Sequence, residues 1–168
     1  MADTLANIPL TINLVNAGAV AGTTNTFTTT AATSCAINGK FATSLTTLTN
    51  SATTPTTDAN TGIAFPAILP NTCAAVVFGV NAAGTLKAVQ GGAIATETGV
   101  TTTVGAFINA PQFPALPDDF AAIAYTIVRA APSLTAGFVL GTTSWAASGA
   151  SCTTFKNVCT LPSRPQIA

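Results

Sequence analysis

Short β-type segments separated by turn-forming residues most constrain what this chain can fold into. From Ile8 to Val15 the apolar residues Ile8, Leu10, Ile12 and Leu14 alternate with Thr11 and Asn13. This period of two is typical of a strand with one buried face. Further apolar runs recur about every ten residues between Gly, Pro and Asn, and no segment shows helical periodicity beyond a turn or two. The pattern predicts an all-β protein, a sandwich or a barrel.

The sharpest local signal is the pair Asn38-Gly39 between two β-favouring runs. A type I′ turn needs positive φ at both central residues, and Asn-Gly is the pair that adopts it most readily. The sequence therefore predicts a two-residue hairpin that pairs Ile37 with Lys40 and Ala36 with Phe41.

Other elements follow from the same reasoning, with at least seven strands in all. Strands are predicted over 75–80 and 85–90, joined by a turn at 81–84, and over 101–108, 123–128 and 138–145. In the strand 123–128, Ile123, Tyr125 and Ile127 are expected on one face, with Arg129 continuing that face at the rim or at an interface. Residues 49–60 read as a loop, and the proline-rich stretch 109–119 as neither helix nor central strand. The predicted organisation is an N-terminal arm or first strand (1–20), a β-sandwich (21–148) and an irregular tail (149–168).

Charged residues are scarce in this chain. Five acidic and five basic side chains make up 6% of the residues and cancel in net charge, against about 25% charged residues in a typical soluble domain. Five scattered basic residues cannot form the basic face that nucleic-acid binding needs. Proline, asparagine or arginine interrupts both long apolar stretches, 64–84 and 120–141, so no membrane span is expected.

Residues that usually carry catalysis are missing from the sequence. The chain has no histidine, which excludes Ser-His-Asp and Cys-His arrangements and leaves no zinc pattern. The one adjacent acidic pair, Asp118-Asp119, follows Pro117 and is interpreted as a solvated turn. We therefore expect no enzyme activity, no cofactor, and no catalytic or metal site.

Four cysteines are present, none of them in a CxxC motif. The N-terminus has no basic region followed by an apolar core, which predicts synthesis in the cytoplasm, where thiols stay reduced. Cys35 and Cys73 are expected to be unbridged. For Cys152 and Cys159, which enclose a short loop, both states stay open.

One block of sequence goes beyond a generic β protein. It contains Thr61-Gly62-Ile63-Ala64-Phe65-Pro66, the hairpin sequence VVFGVNAAGTLKAVQG over 76–91, the proline-rich FPALPD over 113–118, and the tyrosine-containing strand 123–128. This order resembles structural proteins of tailed bacteriophages, and among them most closely the small capsid decoration, or cement, proteins. The resemblance covers about half of the chain, from 61 to 145, and leaves the Thr-rich first sixty residues without an assigned role.

The resemblance implies a jelly-roll-like β-sandwich that binds the outer surface of a phage capsid and stabilises it. The expected partners are the major capsid protein and further copies of the chain, as a homotrimer, with no nucleic acid or membrane. The expected location is the virion, after synthesis in the host cytoplasm. The candidate assembly interface is the apolar side of the first strand, formed by Ile8, Leu10, Ile12 and Leu14.

Two other functions fit the composition. One is a phage tail or fibre component, although no long repeat or separable tip is visible. The other is a Thr-rich extracellular binding module, such as an ice-binding or adhesive protein, although the Thr-x-Thr pieces near 24–30 and 101–103 do not recur at a fixed period.

Overall fold

The computed structural model describes residues 10–50, 52–152 and 154–166. This part of the chain is all-β, with twelve strands and no helix. The strands are β1 (Ile12–Asn13), β2 (Val20–Ala21), β3 (Thr26–Thr28), β4 (Cys35–Ile37), β5 (Lys40–Phe41), β6 (Ala52–Thr53), β7 (Thr72–Val80), β8 (Leu86–Gln90), β9 (Ile94–Ala95), β10 (Ala121–Ala130), β11 (Ala150–Ser151) and β12 (Phe155–Asn157).

Two long antiparallel strands, β7 and β10, form the centre of the largest sheet. They pair from Ala121 opposite Val80 to Ala130 opposite Thr72. On its other side β7 pairs with β8 and β9, and β10 pairs with β11 and β12. Both central strands read as nearly continuous apolar runs, TCAAVVFGV and AAIAYTIVRA, because both faces of the sheet are covered.

One face of this central sheet packs against the N-terminal third of the chain. That third forms two small sheets, β1-β4-β5 and β2-β3-β6. Phe27 of β3 meets Phe78 of β7 with ring centroids 4.8 Å apart, and Phe155 lies 5.5 Å from both Phe78 and Trp145. The Trp145 indole N–H donates to the carbonyl of Thr26 at 2.7 Å, so this aromatic cluster joins the first third of the chain to the last.

The opposite face is covered by irregular chain. Val77, Val89, Phe120 and Tyr125 are buried there beneath apolar side chains of the proline-rich segment and the C-terminal residues, namely Phe113, Leu116, Val158 and Leu161. The ring of Phe113 stands edge-on to Tyr125 at 4.9 Å. The proline-rich stretch contains no strand or helix, as the sequence predicts.

The hairpin predicted at Asn38-Gly39 is confirmed in its register. Ile37 pairs with Lys40 and Ala36 with Phe41. Asn38 and Gly39 have φ of 51° and 75°, the positive values that a type I′ turn requires. The second predicted hairpin is also present, and β8 begins at Leu86, one residue later than expected.

Two predicted strands are wrong. Residues 101–108 contain only isolated bridges, Val100–Thr103 and Thr96–Phe107, because Thr101 has φ of 49° and turns the chain back on itself. Residues 138–145 make one bridge, Phe138–Ile68, and then turn. Gly141 lies at φ of 75°, a left-handed conformation that ends an extended run. Phe138, Leu140 and Trp145 are nevertheless buried, so these apolar residues belong to the core although they do not form a strand.

The predicted face of the strand 123–128 needs correction. The register shifts between Ala122 and Ala124, which leaves Ile123 as an extra residue. A bulge of this kind moves one side chain to the other side of the sheet. Ile123 therefore packs with Ala124 against the N-terminal layer, while Tyr125 lies on the opposite face.

The predicted irregular tail, 149–168, is also partly wrong. Ala150–Ser151 and Phe155–Asn157 pair with β10 as β11 and β12. Their pairing covers one side of β10, whose backbone groups would otherwise be unpaired. No regular structure follows Asn157 among the described residues.

Candidate assembly surface

The sheet β1-β4-β5 places three apolar residues in one row. Ile12 lies opposite Ala36, and Ala36 lies opposite Phe41. Directly opposite residues point to the same face of a sheet, and residues two apart on one strand share that face. Leu10 and Leu14 are therefore on the same side as Ile12. We call these five residues, Leu10, Ile12, Leu14, Ala36 and Phe41, the outer apolar face.

This face points away from the core. Phe41 is 84% exposed, Leu10 54% and Leu14 50%, while Ile12 and Ala36 are partly exposed. The alternate residues of β4, Cys35 and Ile37, point inward and are buried. Three of the four interface residues predicted from sequence thus lie on one exposed surface, and the fourth, Ile8, lies outside the described residues. Exposed apolar side chains clustered together commonly mark an interaction site.

Burial along β1 is the reverse of what an ordinary core strand with this alternation would show, because Asn13 is completely buried. Its backbone N–H donates to the carbonyl of Cys159 at 2.9 Å, and its side-chain amide donates to the carbonyl of Val158 at 3.2 Å. The Asn13 carbonyl oxygen Oδ1 accepts from the backbone N–H of Val15 at 3.3 Å. A buried amide is tolerated when its donors and acceptors are paired in this way. Asn13 thereby turns the leucines outward.

The segment around β1 is anchored in several further places. The side-chain amide of Asn157 both donates to the carbonyl of Ala19, at 3.2 Å, and accepts from its N–H, at 2.6 Å. At the other end, Leu10 and Thr11 accept hydrogen bonds from Gly39 and Asn38. Residues 10–20, which the sequence marks as a candidate arm, are therefore bonded to β4, to the hairpin turn and to the C-terminal residues.

Two acidic residues, Asp119 and Asp58, have structural partners. Asp119 accepts from the backbone N–H of Ala82 at 2.7 Å, so it secures the β7–β8 turn. Asp58 accepts from the N–H groups of Asn60, Thr61 and Gln90. Each of these two carboxylates holds a loop in place, so its hydrogen bonds explain why an acidic residue stands there.

Arg129 has partners of a different kind. Its guanidinium donates to the carbonyl of Gly105 at 3.3 Å and to the hydroxyl of Ser151 at 3.4 Å. It also lies over the ring of Phe107, 4.7 Å from the centroid, a distance at which a cation is attracted to the ring. Arg129 therefore ties β10 to the 105–107 loop and to β11.

Three of the four cysteines are buried, and the fourth, Cys159, is exposed, all as free thiols. Burial raises the pKa of Cys152 to about 12 and also raises the pKa of Cys35 and Cys73. Removal from water disfavours the thiolate form, so these thiols are poor nucleophiles. In the described part of the chain, no group of three or more His, Cys, Asp or Glu residues could hold a metal ion.

Two residues of the outer apolar face, Ala36 and Phe41, were not among the interface residues predicted from the first strand, although the sequence held part of the information needed to find them. The hairpin register already paired Ala36 with Phe41. What was lacking was the pairing of β1 with β4, which brings positions 12 and 36 together across a separation that no local pattern reveals.

Among the described residues, no helix is long and apolar enough to cross a membrane. Comparison with family models, with curated protein sequences and with solved structures found no match to this chain.

Proposed function

We propose that the protein is a structural component of a phage virion that binds the outer surface of the capsid and stabilises it. In this proposal it is a non-enzymatic decoration protein with a jelly-roll-like arrangement, acting as a homotrimer on the major capsid protein. The proposal rests on the resemblance of residues 61–145 and on one structural observation, the outer apolar face.

The outer apolar face supports this proposal because it is apolar, exposed and rigidly held. Phe41 offers a large aromatic side chain, and aromatic residues are enriched at the buried centres of interfaces. The surrounding protein has few charges to keep copies apart. Leu10, Ile12 and Leu14 belong to a segment held by backbone hydrogen bonds, so little conformational entropy is lost when they are covered.

The first test is self-association of the Phe41→Thr variant. Burying a phenylalanine contributes about 1.5–3 kcal/mol, so the association constant should fall at least about tenfold. Because Phe41 is 84% exposed, the stability of the single chain should change by less than about 0.5 kcal/mol. Sedimentation equilibrium measures the first quantity and urea unfolding the second.

Val100→Thr is the matched control. Val100 is 74% exposed and lies outside the outer apolar face, so its substitution should leave association unchanged. Equal effects of the two substitutions would show that exposed apolar area in general, rather than this face, drives association. A wild-type chain that stays monomeric at micromolar concentration would contradict the trimer.

Capsid binding is tested separately, by co-sedimentation with undecorated shells assembled from the major capsid protein of the same phage. The proposal expects binding by the wild type and weaker binding by Phe41→Thr. A point substitution is preferable to truncation of the first strand, because truncation would also remove the buried Asn13. Binding to a host-cell surface but not to shells would favour the tail-fibre function.

A further inference from the structure

The turn of the β4–β5 hairpin carries a chemically reactive pair. Asn38-Gly39 is the one Asn-Gly sequence in the chain, and both residues are exposed. Two open grooves of about 280 and 290 Å³ flank it, and Asn38 and Asp118 line both. Glycine offers no side chain to shield its amide nitrogen, which leaves that nitrogen accessible to the neighbouring asparagine side chain.

The reaction open to such a pair is intramolecular deamidation. The backbone nitrogen of Gly39 attacks Cγ of Asn38, a C–N bond forms, and the bond from Cγ to the side-chain nitrogen breaks. The proton of the Gly39 N–H leaves with that nitrogen as ammonia. Water then opens the resulting succinimide at either carbonyl, which gives aspartate or isoaspartate at position 38. One water is consumed and one ammonia released, with no change of oxidation state.

The folded turn holds both reacting groups away from this path. The Gly39 N–H donates to the carbonyl of Leu10 at 2.9 Å, and the Asn38 N–H donates to the hydroxyl oxygen of Thr11 at 3.1 Å. The side-chain amide of Asn38, which would be the leaving group, donates to the carbonyl of Asp118 at 3.2 Å. The nucleophile and the leaving group are thus bonded to different segments of the chain.

We propose that Asn38 is a spontaneous deamidation site that the docked segment Leu10–Thr11 protects. The inference goes beyond the proposed function and does not depend on it. Opening of the segment, in a chain that is incompletely folded or strained, releases Gly39 and starts the reaction. A well-folded chain retains the amide.

The product would damage the hairpin that the reaction starts from. Aspartate or isoaspartate places a carboxylate where Asn38 donates to the carbonyl of Asp118, and it changes the net charge of the chain from zero to −1. Isoaspartate also adds a backbone carbon to a turn of two residues, which shifts the pairing that positions Phe41. The modification therefore marks chains whose hairpin has opened.

The experiment follows the mass of the peptide that contains Asn38 during incubation at neutral pH, with isoaspartate resolved by chromatography. Wild type is compared folded and unfolded in urea. Thr11→Val removes the hydroxyl acceptor at nearly constant shape, and Thr11→Ser, which keeps the hydroxyl, is the matched control. A single hydrogen bond is worth about 1 kcal/mol, so Thr11→Val should deamidate about fivefold faster than wild type. Thr11→Ser should match wild type, and the unfolded chain should be fastest.

Two results would overturn the proposal. One is equal deamidation of folded and unfolded wild type, and the other is a folded Thr11→Val that reacts no faster than Thr11→Ser. If Thr11→Val does not fold, hydrogen exchange of wild type decides the matter. As temperature rises, the Gly39 N–H should lose its protection from exchange at the same point at which Asn38 begins to deamidate. Deamidation that proceeds while the Gly39 N–H is still protected from exchange would contradict the inference.

Discussion

Asn13 should contribute more to stability than the leucine beside it. An ordinary core strand with this alternation would show the opposite, because Leu14 would be buried and Asn13 would face solvent. In the structure Asn13 is fully buried and Leu14 is 50% exposed. Replacing each residue by alanine therefore distinguishes a β1 segment with Asn13 buried from one with its leucines buried.

The expected cost of Asn13→Ala follows from its hydrogen bonds. The substitution removes the bond to the Val158 carbonyl and the bond from the Val15 N–H, each worth about 0.5–1.5 kcal/mol. It also leaves partner groups without a hydrogen bond in a partly buried site, which adds to the loss. A total of about 3 kcal/mol is expected, a large share of the 5–15 kcal/mol that stabilises a typical domain.

Urea unfolding followed by tryptophan fluorescence measures this cost. Trp145 is the one tryptophan in the chain and is buried, so its emission reports loss of the core. With a typical dependence on urea, 3 kcal/mol lowers the midpoint by about 1–2 M. Leu14→Ala should lower it far less, since substitutions at exposed positions usually change stability by about 0.5 kcal/mol.

The reversed order would refute the reasoning. If Leu14→Ala cost several kcal/mol and Asn13→Ala almost nothing, Leu10 and Leu14, which flank β1, would pack inward. The side of the segment that carries the leucines would then belong to the core, and it would offer no surface for assembly.

Two other predictions concern the hairpin turn and the buried thiols. Gly39→Ala should destabilise the protein by about 1–2 kcal/mol in thermal unfolding, because Gly39 has φ of 75°, which strains any residue with a side chain even though a Cβ there would contact nothing. Gly92→Ala is the control, since Gly92 also has open space around it but lacks a positive φ, and its substitution should be neutral. Equal effects of the two substitutions would mean that the turn is not type I′. Cys159 should react with a thiol reagent in the folded protein, whereas Cys35, Cys73 and Cys152 should react only on unfolding. Since burial raises the pKa of Cys152 from 9.0 to about 12, the unfolded chain loses this proton first, and this thiol alone should lower the free energy of unfolding by about 1.4 kcal/mol per pH unit between about pH 9 and pH 12. Burial raises the pKa of Cys35 and Cys73 too, so their thiols add to the fall in stability. Stability that rises over that range would contradict the assignment of Cys152 to the core.

The proline-rich covering of the central sheet illustrates an intermediate case. Prolines exclude helix and central strand from 109–119, and this part of the reading holds. In the structure Phe113 and Leu116 lie over Tyr125 and Val77. This contact depends on the path that the proline-rich segment takes across the sheet, and the local composition does not predict that path.

The sequence was sufficient to predict those features of the fold that depend only on residues close together in the chain. The Asn38-Gly39 turn and its register, the β7–β8 hairpin and the all-β class follow from backbone preferences within a few positions, and so they could be predicted from sequence. The apolar run 138–145 shows the boundary of this reasoning, because hydrophobicity predicts burial but does not distinguish a strand from a buried turn.

Only the tertiary structure decided which side of β1 faces water. The alternation correctly separates the leucines from Asn13, but a period of two is the same whichever side is buried. The choice is made by the carbonyls of Val158 and Cys159, which lie about 145 residues further along the chain and are brought to Asn13 by the pairing of β12 with β10. A buried amide that satisfies distant backbone groups outweighed the preference of the leucines for the interior, and the apolar side was left exposed as the candidate assembly surface.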